Sequence, residues 1–186
     1  MLQLYCGRRK TRVSVLCHVQ LLTNDHQDTV TVSSLNVRLL SNKYVALRDL
    51  IASNRLHFFA AAESWHESAS CPAVIAMTPL GYRCIEKARP RSTAQKTKCS
   101  NINGGSICLF YQLCYSVRDI ALPVYSMTES LAVYVQGRGI AFVIAILCRP
   151  PASSPVTFLG EFTDIIERIA VYSAPLYNIH METHMH

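Results

Sequence analysis

The sequence predicts an α/β fold on two observations. Strand and helix patterns alternate between residues 29 and 62, and a hairpin pattern precedes an amphipathic helix between residues 131 and 171. With 186 residues, the chain has the length of one domain. The composition is 50% hydrophobic and 16% charged, which supplies enough apolar side chains for a packed core and excludes a wholly disordered chain.

The first part of the predicted domain is a strand, a helix and a second strand. Residues 29–38 alternate Val and Leu with Thr and Ser, a pattern typical of a strand. Ser41 can cap a following helix, in which apolar residues recur at three-to-four spacing from Tyr44 onward. The apolar run 57–62 predicts a buried strand that lies parallel to the first, joined to it by a right-handed crossover.

The second part combines a hairpin with a helix. Apolar runs at 131–135 and 140–147 flank a Gly-Arg-Gly turn at 137–139, which indicates a β-hairpin. Apolar positions then repeat at helical spacing over 157–171, so we expect an amphipathic helix that lies on the sheet. Between these parts, residues 92–103 are polar and basic without periodicity, which indicates a surface loop or a flexible insertion.

Charge and cysteine spacing narrow the class of protein. The net charge of +6 is compatible with a polyanionic partner but does not by itself identify one. The eight cysteines include no Cys-x-x-Cys pair, which excludes a zinc ribbon. Four of them lie in or next to apolar runs, where we expect buried free thiols, namely Cys84, Cys108, Cys114 and Cys148. Free thiols favour a reducing compartment over a disulfide framework.

The chain shows no clear targeting or membrane segment. Residues 1–28 have no clean period and are expected to form a poorly ordered leader, without a recognisable signal-peptide cleavage site. The longest apolar stretch, 140–148, is far shorter than the ~20 residues that a membrane helix needs. We therefore expect an intracellular protein, nuclear or cytoplasmic, that is not secreted and has no membrane partner.

The clearest candidate chemistry lies at two neighbouring strand ends. Glu63 comes directly after the second strand, beside Trp65, and Asn36 stands at the end of the first. Open α/β sheets build their sites at the carboxyl ends of strands, and Mg²⁺ takes few protein oxygens and keeps its waters. A magnesium site at this edge is one interpretation. In the alternative, Glu63 caps or solvates a loop and Asn36 makes a turn.

A basic stretch offers a second candidate. It runs from Arg83 to Lys98, with Tyr82 beside it, and could contact phosphates while the aromatic ring stacks on a base. We favour the simpler interpretation, a solvated loop.

Several segments, in order along the chain, carry a family resemblance. They are Ser34–Arg38 with Asn42 and Lys43, Ala62–Trp65, Gly81 with Tyr82, Gly104–Ile107, Glu129–Val135 and Ile146–Pro151. In this order and at similar spacing they resemble the endonuclease domain of non-LTR (LINE-type) retrotransposons. That domain belongs to the endonuclease/exonuclease/phosphatase superfamily.

The resemblance implies a fold and an activity. The fold is a two-sheet α/β sandwich with helices outside, truncated here, because the family's domain continues to a closing motif with Asp and His; residues 29–186 would then be an incomplete domain. The activity is that of a Mg²⁺-dependent phosphodiesterase that nicks DNA. Glu63 matches the family's metal-binding glutamate, and Asn36 matches the asparagine that supports the metal and the phosphate.

Two departures from the family pattern bear on catalysis. Leu176 stands where the family has the aspartate of Gly-Asp-Phe-Asn, which activates the attacking water, while Asn178 keeps the asparagine of that motif. General-base help of this kind is worth ~10²–10⁴ in rate. Cys148 replaces the usual tyrosine before Arg-Pro-Pro. We therefore expect a degenerate, catalytically impaired copy; the alternatives are a noncatalytic nucleic-acid-binding module and a weak but active nuclease.

Overall fold

The computed structural model describes residues 5–6, 17–22, 29–38, 40–66, 68–88, 105–149, 154–172 and 176–182. Within these ranges the strands form two sheets. The first sheet has the order β1-β2-β3-β4-β6-β5, with β1 (Tyr5–Cys6), β2 (Cys17–Leu22), β3 (Thr29–Asn36), β4 (Phe58–Ala62), β5 (Tyr82–Lys87) and β6 (Ile107–Gln112). The second has the order β10-β9-β8-β7, with β7 (Ser116–Ile120), β8 (Glu129–Gly137), β9 (Ile140–Arg149) and β10 (Leu176–Glu182).

The predicted strand–helix–strand unit is confirmed. β3 and β4 are parallel neighbours, and the helix α1 (Tyr44–Ser53) connects them. The cap prediction is wrong: Ser41 lies inside a short 3₁₀ turn, Leu40–Asn42, and α1 begins after Lys43 without a side-chain cap. A longer α-helix would have had its first turn at these residues, which form the 3₁₀ turn instead.

β4 is buried along its whole length because both faces of the first sheet are covered. On one face it contacts α1 and the short helix α2 (Pro72–Met77), through residues such as Ile51 and Met77. On the other face its side chains meet the second sheet. This explains why the run 58–62 is uniformly apolar rather than alternating.

The predicted hairpin and final helix are also present. β8 and β9 pair antiparallel around a turn in which Arg138 and Gly139 both have positive φ, 51° and 73°. The helix α3 (Pro155–Ala170) begins two residues earlier than the apolar period indicated, because a proline suits the first turn of a helix. Ile165 and Ile169 of α3 pack on the outer face of the second sheet.

The two sheets face each other across one core. Their inner side chains include Phe58 and Leu109 from the first sheet and Val133, Phe142 and Ile144 from the second, all at most 2% exposed. The sheets and outer helices match the α/β sandwich that the resemblance implied.

The cysteine expectation holds at some positions only. Cys108 and Cys148 are buried free thiols and Cys84 is half-buried, but Cys114 is exposed, because it lies in the turn between β6 and β7. The prediction for Cys114 is therefore wrong, because apolar neighbours in sequence do not bury a residue that lies in a turn.

Two other expectations concern residues 1–28 and the polar stretch 92–103. The first sheet extends into residues 1–28, where β2 pairs antiparallel with β3, although we expected a leader there. The polar stretch 92–103 lies outside the described residues, and so do the basic residues Arg89 to Lys98. Among the described residues, no helix is long and apolar enough to cross a membrane.

Candidate active site

Asn36 and Glu63 lie at the same edge of the first sheet. The parallel register pairs Asn36, the last residue of β3, with Ala62, the last residue of β4, and Glu63 follows directly. The amide of Val37 donates to the carbonyl of Ala62 at 2.9 Å, so the two chain exits stay together. Asn36 is only 7% exposed, and its Oδ1 has no hydrogen-bond partner among the described residues.

The chain turns sharply where it leaves β4. Glu63 and Trp65 both have positive φ, 51° and 54°, in the left-handed region that non-glycine residues rarely adopt. Backbone hydrogen bonds hold the turn on the β6 side, from Ser64 to the Ser106 carbonyl at 3.3 Å and from Trp65 to the Gly105 carbonyl at 3.1 Å. The half-buried Glu63 side chain is thus presented by a constrained loop.

A second carboxylate, Glu129, reaches the same edge from the second sheet. Glu129 opens β8, pairs with Cys148 and packs on Gly105, whose carbonyl accepts from Trp65. We did not single out Glu129 as a site residue, although it begins one of the segments that carry the family resemblance. The signal was present in the sequence, but nothing local showed that the second sheet meets the first here.

Gly105 is required at this contact. A Cβ on Gly105 would lie 2.0 Å from Oε1 of Glu129, and its φ is +94°. We expect Gly105→Ala to lower the free energy of unfolding by roughly 2–4 kcal/mol, because backbone strain adds to the displacement of a buried carboxylate. Urea denaturation measures this loss.

Gly139→Ala is the matched control for that substitution. Gly139 also has positive φ, +73°, but a Cβ there would meet nothing within 4 Å. It should therefore show the backbone strain alone, roughly 1 kcal/mol. Equal losses at the two positions would contradict a role for the Glu129 contact.

A cavity of about 320 Å³ opens beside Glu129. Lys87, at the end of β5, and Ile107, at the start of β6, line one side, and the segment 124–130 lines the other. The exposed Lys87 amine therefore places a positive charge beside the edge that carries the two glutamates.

Asn178 lies on β10, which pairs with β9 in the second sheet. β10 runs parallel to β9, with Leu176 paired with Val143, Asn178 with Ala145 and Met181 with Cys148. Asn178 therefore lies three residues, about 10 Å, before the level of Cys148 and Glu129 along the strand. The segment after α3 forms the strand itself instead of a loop at its carboxyl end. A catalytic role for Asn178 stays a prediction.

Beneath the Glu63 loop lies a buried network that the sequence did not indicate. His66, 3% exposed, contacts Ser64 Oγ through Nδ1 at 2.7 Å and Glu86 Oε2 through Nε2 at 2.9 Å. Burial by itself lowers the pKa of His66, but interactions with Cys108 and Glu86 outweigh it and raise the pKa to about 9. A hydrogen bond from the Cys84 thiol lowers the pKa of Cys108 to about 6, against the effect of burial.

The described part of the basic stretch favours the structural interpretation. The Tyr82 hydroxyl donates to the Leu56 carbonyl at 2.7 Å, and its ring packs on the core beneath α1. Tyr82 therefore serves packing rather than base stacking. Arg83 and Lys87 are exposed on β5.

The residues at the edge include hard oxygen ligands of the kind that Mg²⁺ takes. Across the ranges that the structure describes, no group of three or more His, Cys, Asp or Glu side chains is placed to hold a metal ion. Mg²⁺ needs fewer protein ligands than such a group supplies, since it binds through one or two carboxylates and keeps several waters. One carboxylate from Glu63 and the unpartnered Asn36 Oδ1 provide hard oxygen ligands of that kind.

The sequence matches no protein-family model and no curated protein. Solved structures match the fold instead. An endonuclease/exonuclease/phosphatase family protein from Bacteroides thetaiotaomicron is 12% identical with a TM-score of 0.61, over 83% of this chain and 64% of that one. D. rerio TDP2, solved in complex with a single-strand DNA product, is 13% identical with a TM-score of 0.54, over 82% of this chain and 59% of that one.

The endonuclease domain of TRAS1, a telomere-specific non-LTR retrotransposon, is 8% identical with a TM-score of 0.50, over 80% of this chain and 57% of that one. The chain thus spans less than two thirds of the length of each of these three structures. At these identities the likeness shows the fold alone. The chain has the two-sheet α/β fold of the endonuclease/exonuclease/phosphatase proteins.

Proposed function

We propose that this chain is a transposon-derived, magnesium-dependent DNA endonuclease-like domain whose nicking activity is impaired. One observation carries the proposal: Asn36 and Glu63 follow neighbouring parallel strands at one sheet edge, with the Asn36 Oδ1 buried and unpartnered within the described residues. That edge corresponds to the site position implied by the resemblance to retrotransposon endonucleases.

Each residue at the edge has a definite part in this proposal. Glu63 would hold Mg²⁺ through its carboxylate, and Asn36 would support the metal and the phosphate through its amide. When bound, Mg²⁺ neutralises charge on a phosphodiester and on its leaving oxygen. Because Asn36 is buried by the sheet, its amide is held ready without further ordering.

DNA is the proposed partner. The net charge of +6 favours a polyanion, and the exposed Lys87 lies beside the site. The similar fold of TDP2, which was solved with a single-strand DNA product, supports the same partner. The retrotransposon resemblance makes double-stranded DNA the first substrate to test.

The proposed impairment of catalysis is argued from the residues of β10 and their register on β9. Leu176 cannot accept a proton or orient water, and its pairing with Val143 places it five residues, about 16 Å, before the level of Cys148. Neither Leu176 nor Asn178 is at the level where Glu129 meets the first sheet. Cys148 at that level offers a thiol, a weaker donor than a phenol.

Nicking of supercoiled plasmid tests the proposal. We expect the natural chain to nick no more plasmid in Mg²⁺ than in EDTA. The Leu176→Asp variant should also stay inactive, because residue 176 pairs with Val143, five residues before the level of Cys148 along β9. Leu176→Asp combined with Glu63→Ala completes the set and reports any nicking that does not use the proposed site.

The other outcomes distinguish the alternatives. Nicking by the natural chain that both EDTA and Glu63→Ala abolish would make it an active nuclease and contradict the impairment. Nicking by Leu176→Asp alone would show that residue 176 reaches the site. Salt-dependent DNA binding that survives both EDTA and Glu63→Ala would instead identify a noncatalytic binding module.

A further inference from the structure

The loop that presents Glu63 needs support from outside itself. Two of its residues, Glu63 and Trp65, have left-handed backbone conformations, and each such conformation costs of order 1–3 kcal/mol. Backbone bonds to Gly105 and Ser106 hold one side of the loop. A conformation of this cost persists only where the surrounding structure enforces it.

Side-chain hydrogen bonds supply further support. The Ser64 hydroxyl donates to the Ser106 carbonyl at 3.0 Å, and the Ser106 hydroxyl donates to the His66 carbonyl at 3.1 Å. Ser64 and Ser106 thus tie the loop to the start of β6 in both directions. Both serines are buried, so water does not compete for these bonds.

The hydrogen-bond partners of His66 accommodate a ring that donates from both nitrogens. The Ser64 hydroxyl has one hydrogen, which goes to the Ser106 carbonyl, so its oxygen accepts from Nδ1 of His66 at 2.7 Å. The Glu86 carboxylate accepts from Nε2 at 2.9 Å. In this arrangement both ring nitrogens donate, as in the imidazolium form that the raised pKa of His66, about 9, favours.

The buried charge is balanced from β5 and β6. Glu86 binds the imidazolium with one oxygen and accepts from the Ala69 amide at 3.1 Å with the other, so it ties both ends of the segment after Trp65. The Cys108 sulfur lies 3.5 Å from Nδ1. A buried charge without such partners would be strongly destabilising.

We propose that the Glu86–His66–Ser64 chain of hydrogen bonds is a positioning device that fixes the loop bearing Glu63. This inference rests on the proposed function only in assigning the loop to metal binding. The positioning of the loop is a separate property. Glu86 and His66 are positioning residues, since their hydrogen bonds go to each other and to the loop at Ser64 and Ala69. Their partners lie in the segment after β4, in β5 and at the start of β6, so three parts of the chain set the Glu63 conformation together.

The single tryptophan makes this testable, because Trp65 belongs to the loop and reports on it alone. We expect Glu86→Gln, a nearly isosteric change that removes the charge, to shift the Trp65 emission maximum and to increase acrylamide quenching under fully folded conditions. NMR of the imidazole nitrogens should show His66 doubly protonated up to about pH 9 in the natural chain and losing a proton at lower pH in Glu86→Gln.

Metal binding gives a second readout. If the proposed magnesium site exists, Glu86→Gln should weaken Mg²⁺ binding by about 10-fold, the lower end of what loss of outer support around a metal site commonly costs. Arg83→Gln is the control, since it changes one charge on an exposed position of the same strand. It should alter neither the fluorescence nor the affinity.

The outcomes separate this inference from the proposed function. Absence of Mg²⁺ binding in the natural chain overturns the magnesium proposal, while a changed Trp65 spectrum in Glu86→Gln still supports the positioning. An unchanged Trp65 spectrum and a neutral His66 at pH 7 in the natural chain overturn the positioning, whatever the metal does. If Glu86→Gln proves too unstable, His66→Gln provides the same fluorescence comparison.

Discussion

Glu63→Gln is expected to abolish measurable Mg²⁺ binding by this chain in isothermal titration calorimetry. The substitution keeps the shape of the side chain and removes its charge, and Mg²⁺ relies on carboxylate oxygens because it retains most of its waters. The loss should exceed the ~10–100-fold that follows removal of an outer partner. Glu63 is the one carboxylate that directly follows the β4 end, so no neighbour on that strand replaces it.

Asp119→Asn is the matched control for this experiment. Asp119 is an exposed carboxylate on β7, in the second sheet, and its substitution changes the net charge by the same amount. It should leave Mg²⁺ affinity unchanged within a factor of about two. Binding that survives Glu63→Gln as well would place the metal elsewhere and remove the basis of the proposed function.

Phe58→Ala is expected to lower the free energy of unfolding by about 3–5 kcal/mol. Phe58 is fully buried between the two sheets, with its ring centroid 4.8 Å from that of Tyr115 and 5.7 Å from that of Phe142. Removing the ring leaves a cavity that neither sheet can close, because both backbones are held by their ladders. Such a loss is a large part of the 5–15 kcal/mol that stabilises an ordinary domain.

Urea unfolding followed by far-UV circular dichroism measures this effect. Leu80→Ala serves as the control, since Leu80 is fully exposed and its truncation should change stability by less than about 0.5 kcal/mol. A loss of under about 1 kcal/mol for Phe58→Ala would contradict the packing of the two sheets against each other.

Much of the fold follows from local patterns. The strand ending at Asn36, the buried strand before Glu63 and the amphipathic face of α3 were all predictable, because strand and helix periods are properties of neighbouring residues. The start of α1 was not predictable, because Ser41 suits both a helix cap and a 3₁₀ turn. In the structure it lies in the 3₁₀ turn. The prediction that Cys114 is buried was wrong. Its exposure depends on where β6 ends and the turn begins, which the apolar residues beside it do not show.

The candidate site divides in the same way. Asn36 and Glu63 could be placed together from the sequence, since parallel neighbouring strands end at one edge. Glu129 could not, because it comes from the other sheet and meets Gly105 only after the sheets pack. Asn178 was placed by its similarity to a family motif, whereas the β9–β10 register sets its level along the strand.

The amino-acid sequence by itself determined the α/β class, the order of its main elements and the strand-end position of Asn36 and Glu63, because these depend on periodicity within short segments. Only the tertiary structure decided that Glu86 and Cys108, 20 and 42 residues from His66, surround that histidine beneath the Glu63 loop. It also decided the register of β10 on β9, which pairs Asn178 with Ala145. Such contacts arise from the packing of distant segments, which no local pattern encodes.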